Sequence, residues 1–350
     1  MKSFKNGNLL VASNPHMTDS MNTTKIMLLV IIALLPSLIA STVIFGLRAL
    51  ILAIVCVAAC VVFEWAFEAV FKKDVTVYDL SAAVTGLILA MNLPVTMPYW
   101  MAIIGCFVAI VVVKQFFGGL GQNFANPAIT ARIVLFVSFA SNMSTWADPT
   151  QSRVTSASDA VTSATPLGVF NEQIQAKAGL AQAVHAAEGQ FSLKEMFLGI
   201  TGGSMGEVCA LALLIGGIFL ILMRVISAAT PLAFLGTIAV ISLLGGANPI
   251  WQICAGGAMI GAFFMATDYA STPTTVLGKV IFGVCCGLIT MIIRFYGSYP
   301  EGVSFAILLM NIVSPHIDRF CEHRLYGNPE KEAKKAAKLA AKAEKAGGAE

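Results

Sequence analysis

Charge is scarce in this chain. Lysine, arginine, aspartate and glutamate make up 12% of its 350 residues, against about 25% in an ordinary soluble domain. That scarcity excludes a typical water-soluble globular protein. The net charge of +3 excludes a broad basic face for nucleic acid. Histidine is scarcer still. His16, His185, His316 and His323 are the only four, and no two stand at ligand spacing within one apolar run, which argues against haem. The eight cysteines include no Cys-x-x-Cys pair, so an iron–sulfur or zinc site made by this chain alone is disfavoured. Most lie in or beside apolar runs and read as small buried hydrophobes. The glycines from Gly118 to Gly121 do not form Gly-x-Gly-x-x-Gly after a strand, so a nicotinamide dinucleotide binds elsewhere. No cleavable leader is evident, because the first apolar run is long and others follow it.

What is abundant is apolar. Hydrophobic residues form 57% of the chain, and the mean hydropathy is +0.81. A helical span needs about 20 apolar residues. Ten segments are candidates: 26–45, 47–70, 79–93, 98–115, 126–143, 207–226, 230–245, 250–267, 275–295 and 301–320. The third, seventh and eighth are short or glycine-rich and read as tilted, broken or re-entrant. The expected fold is an all-α polytopic membrane protein. It has a short N-terminal segment 1–25, a first five-helix half 26–143, a long polar interval 144–206, a second five-helix half 207–320 and a Lys/Ala-rich tail 321–350.

Basic residues orient these spans. Lys2, Lys5, Lys25, Lys72, Lys73, Lys114, Arg224, Lys279, Arg319 and Arg324 fall on one side if the spans alternate. That side is then the cytoplasm, with both termini inside and the 144–206 interval outside a bacterial cytoplasmic membrane. Arg48 and Arg294 are exceptions. Five spans on either side of the interval imply inverted halves, the plan of many transporters. The loops Phe116 to Pro127 and Phe264 to Pro273, rich in small residues and ending in proline, read as broken helix ends on the inner side. A short surface helix is expected within 171–187, and the tail is suited to anionic lipid or a partner.

Ionisable residues at membrane depth are costly unless paired or used. Glu64, Glu68, Asp79, Arg132, Glu207, Asp268 and Asp318 qualify, most of them near span ends. Glu64 and Glu68 share a helix face, where Lys72 is placed to satisfy Glu68. The face is read as a contact with a neighbouring subunit, with a coupling-ion role as the alternative. Asp268, at a broken helix end, is the stronger candidate for an ion or a second cofactor. Gly202 to Glu207 is expected to open a helix. Its free N–H groups would seat a phosphate or carbonyl, and Ser204 with Glu207 also fits a capping box.

In the polar interval stands Val161 to Phe170, VTSATPLGVF. Pro166 biases Thr165 toward an extended backbone. No histidine near in sequence activates its hydroxyl, and Asp159 is too far for a self-contained nucleophile. Chemistry alone allows an attachment point for a group added by another enzyme, or an ordinary turn.

Five blocks then converge: Thr162-Ser163-Ala164-Thr165 after Asp159, Tyr78 to Pro94, Gly118 to Ala128, Gly202 to Glu207, and Phe264 to Asp268. Together they resemble the flavin-carrying membrane subunits of the Rnf and Na+-translocating NADH:quinone reductase complexes. The RnfD branch is the nearer, and the resemblance runs to about residue 325. It implies FMN linked by a phosphoester to Thr165, with Asp159 recognised by the flavin transferase. Thr162, Ser163, Ser204 and Glu207 would lie near that flavin. Asp268 would lie near a second flavin or an ion, and a non-covalent riboflavin toward the cytoplasmic side is implied as well. Ser163 replaces the family's usual glycine, and Tyr269-Ala270 its usual Pro-Val. The implied activity is electron relay within a ferredoxin:NAD+ oxidoreductase that exports Na+ or H+. Ferredoxin and NAD would be bound by other subunits. The rival expectation is a secondary transporter or channel without flavin; a purely structural membrane scaffold is a third.

Overall fold

The computed structural model describes residues 21–73, 75–149, 163–176 and 179–322. Asp159, Thr162, His16, His323, the start of the chain and the Lys/Ala-rich tail lie outside them. Every regular element among the described residues is a helix.

The first half opens with α1 (Thr23–Phe45) and α2 (Leu47–Val70). Asn22 caps α1 by accepting from the Lys25 N–H. Gly46, at φ 89°, reverses the chain between the two helices, a conformation that favours glycine. A 3-10 turn, Val77–Asp79, leads into α3 (Ser81–Met91). Then come α4 (Tyr99–Phe107), continued by a π-helical segment Val108–Gln115, α5 (Pro127–Ser138) and α6 (Ala140–Met143). Three short helices follow: α7 (Pro166–Gln175), α8 (Leu180–Gln190) and α9 (Leu193–Leu198). The sequence predicts one surface helix over 171–187. The structure divides that stretch between α7, which buries Leu167 and Phe170, and α8, which buries Ala183 and Val184.

The second half comprises α10 (Ala210–Leu222), α11 (Ala229–Leu244), α12 (Pro249–Cys254), α13 (Ala258–Ile260) with a π-helical segment Gly261–Met265, α14 (Val276–Tyr296) and α15 (Val303–Glu322). Each of the ten expected spans contains helix. Only α1, α2 and α14 among the described helices are long and apolar enough to cross a membrane by length and composition. The other segments are shorter, interrupted or less apolar. The chain is a multi-pass all-α membrane protein with broken helices.

Small residues set the packing. Gly86 lets α3 approach α2 so closely that a Cβ there would stand 2.8 Å from the Cys56 carbonyl oxygen. Gly283 does the same for α14 against α11, with a Cβ 2.8 Å from the Thr230 oxygen. Close backbone approach of this kind is how helices associate in lipid, where no hydrophobic force drives them together.

An Ala-Asn-Pro triplet begins a helix in each half. Asn126 accepts from the Ala128 N–H and Asn248 from the Ile250 N–H, while Pro127 and Pro249 occupy first-turn positions that need no N–H. The Asn126 side chain lies 3.4 Å from the Met265 carbonyl, at the far end of the broken α12–α13 element from Asn248. The two starts therefore sit at opposite ends of the bundle.

Breaks free carbonyls that lipid cannot satisfy. Arg48 donates to the Val95 and Met97 oxygens after α3. Arg294 donates to the Gln252 and Ala255 oxygens where α12 ends. These are the two arginines that depart from the charge pattern in the sequence, and the broken backbone accounts for both.

Glu64 and Glu68 depart from expectation. Both are buried within this chain, not turned toward a neighbour. Glu64 pairs with Lys114 and accepts from Gln115. Glu68 accepts from the Thr76 N–H and hydroxyl rather than from Lys72. Lys72 lies past the end of α2 at φ 52°, off the helical face that the four-residue spacing presumes.

Candidate functional site

Thr165 is the N-cap of α7. Its backbone is extended (ψ 155°), as Pro166 dictates, and its hydroxyl accepts from the Gly168 N–H at 2.9 Å. The oxygen is thus fixed at the positive end of a ten-residue helix. A narrow cleft of about 20 Å3 runs beside it, lined by Thr165, Thr201, Gly202, Gly203, Glu207 and Glu301 among others. The Ser163 hydroxyl is buried without a hydrogen-bond partner, and a Cβ on Gly202 would collide with it. Thr165, Ser163, Gly202 and Glu207, distant in sequence, are thereby brought together.

The Gly202 to Glu207 block does not start a helix. It forms a turn in which the Glu207 N–H donates to the Ser204 oxygen, and α10 begins only at Ala210. The reason is tertiary. The Met205 and Gly206 N–H groups donate to the Leu93 and Met91 oxygens, at the frayed end of α3. Gly206 is required there, since a Cβ would stand 2.7 Å from the Met91 Cβ. The expected capping box therefore fails at Ser204 and Glu207. One does form further back, where Ser192 and Glu195 cap α9.

Glu207 turns inward to a cluster that is only half legible in the sequence. Arg132 on α5 donates to Glu207 at 3.2 Å, to Glu301, and to the Asn92 side chain at 2.8 Å. Arg294 on α14 stands close by, although its bonds go to carbonyls. Gly257 makes room, because a Cβ there would be 2.9 Å from a Glu207 oxygen. Glu207 and Glu301 thus lean on a single guanidinium nitrogen. Arg132 and Glu207 stand out in the sequence as ionisable groups at membrane depth. Glu301 and Arg294 do not join them there, because nothing local links four residues on separate elements.

Asp268 lies at the opposite end of the bundle, so the structure does not join it to Thr165. It is half-buried and receives the Ser271 hydroxyl at 2.8 Å. Burial raises its carboxyl above the ordinary value, and hydrogen bonds from Ser271 and others pull against that. It lines a cavity of about 390 Å3 with Val84, Ile88, Lys114, Asn123 and Phe263. Mostly apolar walls with a few convergent polar groups, in this size range, suit a small organic ligand. The loops Phe116 to Pro127 and Phe264 to Pro273 both contribute to its wall.

The architecture defines the class first: a multi-pass all-helical membrane protein with a hydroxyl-bearing cleft at one end and a ligand-sized cavity at the other. The chain belongs to the NQR2, RnfD, RnfE family, whose model matches residues 10–327. It is 47% identical over 322 residues to the D subunit of the Na+-translocating ferredoxin:NAD+ oxidoreductase complex of Acetobacterium woodii, covering 91% of this chain and 96% of the relative. It is 41% identical over 325 residues to the D subunit of the proton-translocating ferredoxin:NAD+ oxidoreductase complex of Clostridium ljungdahlii, covering 91% of this chain and 96% of the relative. The D subunit of an ion-translocating oxidoreductase complex of Mannheimia succiniciproducens is 35% identical over 352 residues, with 91% and 97% covered.

Proposed function

We propose that this chain is the flavin-carrying membrane subunit of an ion-translocating ferredoxin:NAD+ oxidoreductase complex. It holds FMN by a phosphoester to Thr165 on the outer face, with both termini in the cytoplasm and the remaining subunits of the complex as partners. When bound, the flavin supplies one-electron relay between carriers. The observation that carries the reading is Thr165 itself, a hydroxyl fixed at a helix N-terminus beside a cleft lined in part by Gly202, Gly203 and Gly256.

The chain's residues fit such a group. The start of α7 turns the positive end of the helix dipole toward a phosphate carried on Thr165. Gly202 and Gly203 keep the cleft free of side chains. The cleft is too small to enclose a ring system, so it serves as a seat for the tether. The cavity beside Asp268 has the volume and lining for a second, non-covalent flavin such as riboflavin. There Lys114, Asn123 and Asp268 supply the polar contacts, and Phe263 with Val84 and Ile88 the apolar ones. The two relatives that differ in the exported ion, Na+ in one and protons in the other, leave either ion compatible with this scaffold.

The test is intact-mass measurement on natively produced chain, followed by peptide mapping. One flavin phosphate on the peptide containing Thr165, absent from Thr165→Val, is the expected result. A bare polypeptide mass would remove the redox role of this end and favour a transporter built on the broken helices.

A further inference from the structure

The charged cluster beneath the Thr165 cleft contains more negative charge than its hydrogen bonds neutralise. Glu207 and Glu301 both accept from the same Arg132 nitrogen. Arg294 donates to neither. Its hydrogen bonds end on the Gln252 and Ala255 carbonyls and the Gln252 side chain, and its Nε is unpartnered. Among the described residues, the other groups around the pair are uncharged: Asn92 at the end of α3, the Ser204 hydroxyl in the turn before α10, and the Cys254 thiol on α12. Ser204 is fully buried and faces Glu207 without a well-formed hydrogen bond, so it can donate to a carboxylate or accept from a carboxylic acid. Two carboxylates sharing one guanidinium, in a buried site, do not both ionise readily.

We infer that Glu207 and Glu301 share one proton at neutral pH, so that the cluster presents one net positive charge to the cleft. The count is two guanidinium groups, one carboxylate and one carboxylic acid. Glu207, 3.2 Å from Arg132 and beside the unpartnered Ser204 hydroxyl, holds the proton, and Glu301 stays ionised at its closer contact with Arg132. The consequence is electrostatic. A positive floor stabilises added negative charge in the cleft, whether a phosphate tether or an electron on a group carried there. Loss of the proton as the pH rises cancels that charge. The shared proton stands independently of the flavin reading, while its redox consequence rests on it.

The experiment is pH-difference infrared spectroscopy of the full-length Thr165→Val chain, which removes any flavin from that position. A carboxylic-acid carbonyl band present at pH 7 and lost at higher pH is expected. It should vanish in Glu207→Gln and persist in Asp268→Asn. In Glu301→Gln, Glu207 has Arg132 to itself and ionises, so the band should already be absent at pH 7. No band in the parent, a band that survives Glu207→Gln, or a titration unmoved by Glu301→Gln would each overturn the shared proton. A second readout is the midpoint potential of the outer flavin in the chain with Thr165 intact. Between pH 7 and 9 it should fall more steeply with pH in the parent than in Glu207→Gln, which keeps the positive floor. Equal slopes, with flavin present, would overturn the electrostatic role while leaving the attachment site standing.

Discussion

At the Thr165 end four ionisable side chains close the bundle, and the cleft above them is about 20 Å3. At the Asp268 end the helices part around about 390 Å3 of mostly apolar space. The first arrangement cannot enclose a large ligand, but it fixes the Thr165 hydroxyl at a helix N-terminus above the charge cluster. The second has no anchor and must hold its occupant by shape and a few polar contacts. On the proposed reading, one bundle offers a tethered site and an exchangeable site at opposite ends. The difference follows from where charge was placed: paired across the two halves at one end, and confined to Lys114, Asp268 and their neighbours at the other.

The largest effect expected is all-or-none. Thr165→Val should abolish flavin that survives denaturation, read as fluorescence on a denaturing gel, while flavin released on denaturation is unchanged. Asp268→Asn should do the reverse, lowering the released fraction and leaving the covalent one. Loss of both in either variant would break the division between the two ends. Next comes Arg132→Leu, which strands the Glu301 carboxylate beside the buried Glu207. Removing one member of a buried pair costs about 3–5 kcal/mol, and a large drop in the midpoint of thermal unfolding in detergent should show it. Gly283→Ala forces a methyl against the Thr230 carbonyl. Overpacking of this kind costs about 1–3 kcal/mol, read in the same assay, and it should loosen the second half without altering covalent flavin. The smallest is Ser192→Ala, which loses the capping box of α9 at a cost of about 1 kcal/mol. If it disturbs flavin attachment at all, the α9 region contributes more to the cleft than its contacts indicate.

Some of this is legible before the fold. The extended backbone at Thr165 follows from Pro166 alone. The two small-residue loops, Phe116 to Pro127 and Phe264 to Pro273, read as broken ends, and both contribute to the wall of the cavity. Local reasoning fails where the partner is distant. Lys72 looks right for Glu68 by spacing, yet the helix has ended and Thr76 takes the role. Ser204 and Glu207 match a capping box, yet the end of α3 claims the backbone of Met205 and Gly206. The charge cluster cannot be assembled in advance, because Arg132, Glu207, Arg294 and Glu301 come from four elements with no shared periodicity. The one hint is that each is an ionisable group in a chain that has few.

The pairing of Met205 and Gly206 with Leu93 and Met91 carries a further implication. It stitches the opening of the second half to the first by main-chain bonds rather than by side-chain fit. Prising the halves apart would bare two amides and two carbonyls, each unable to find water in hydrocarbon. The seam is therefore stiff, and any rocking of one half against the other has to pivot about it.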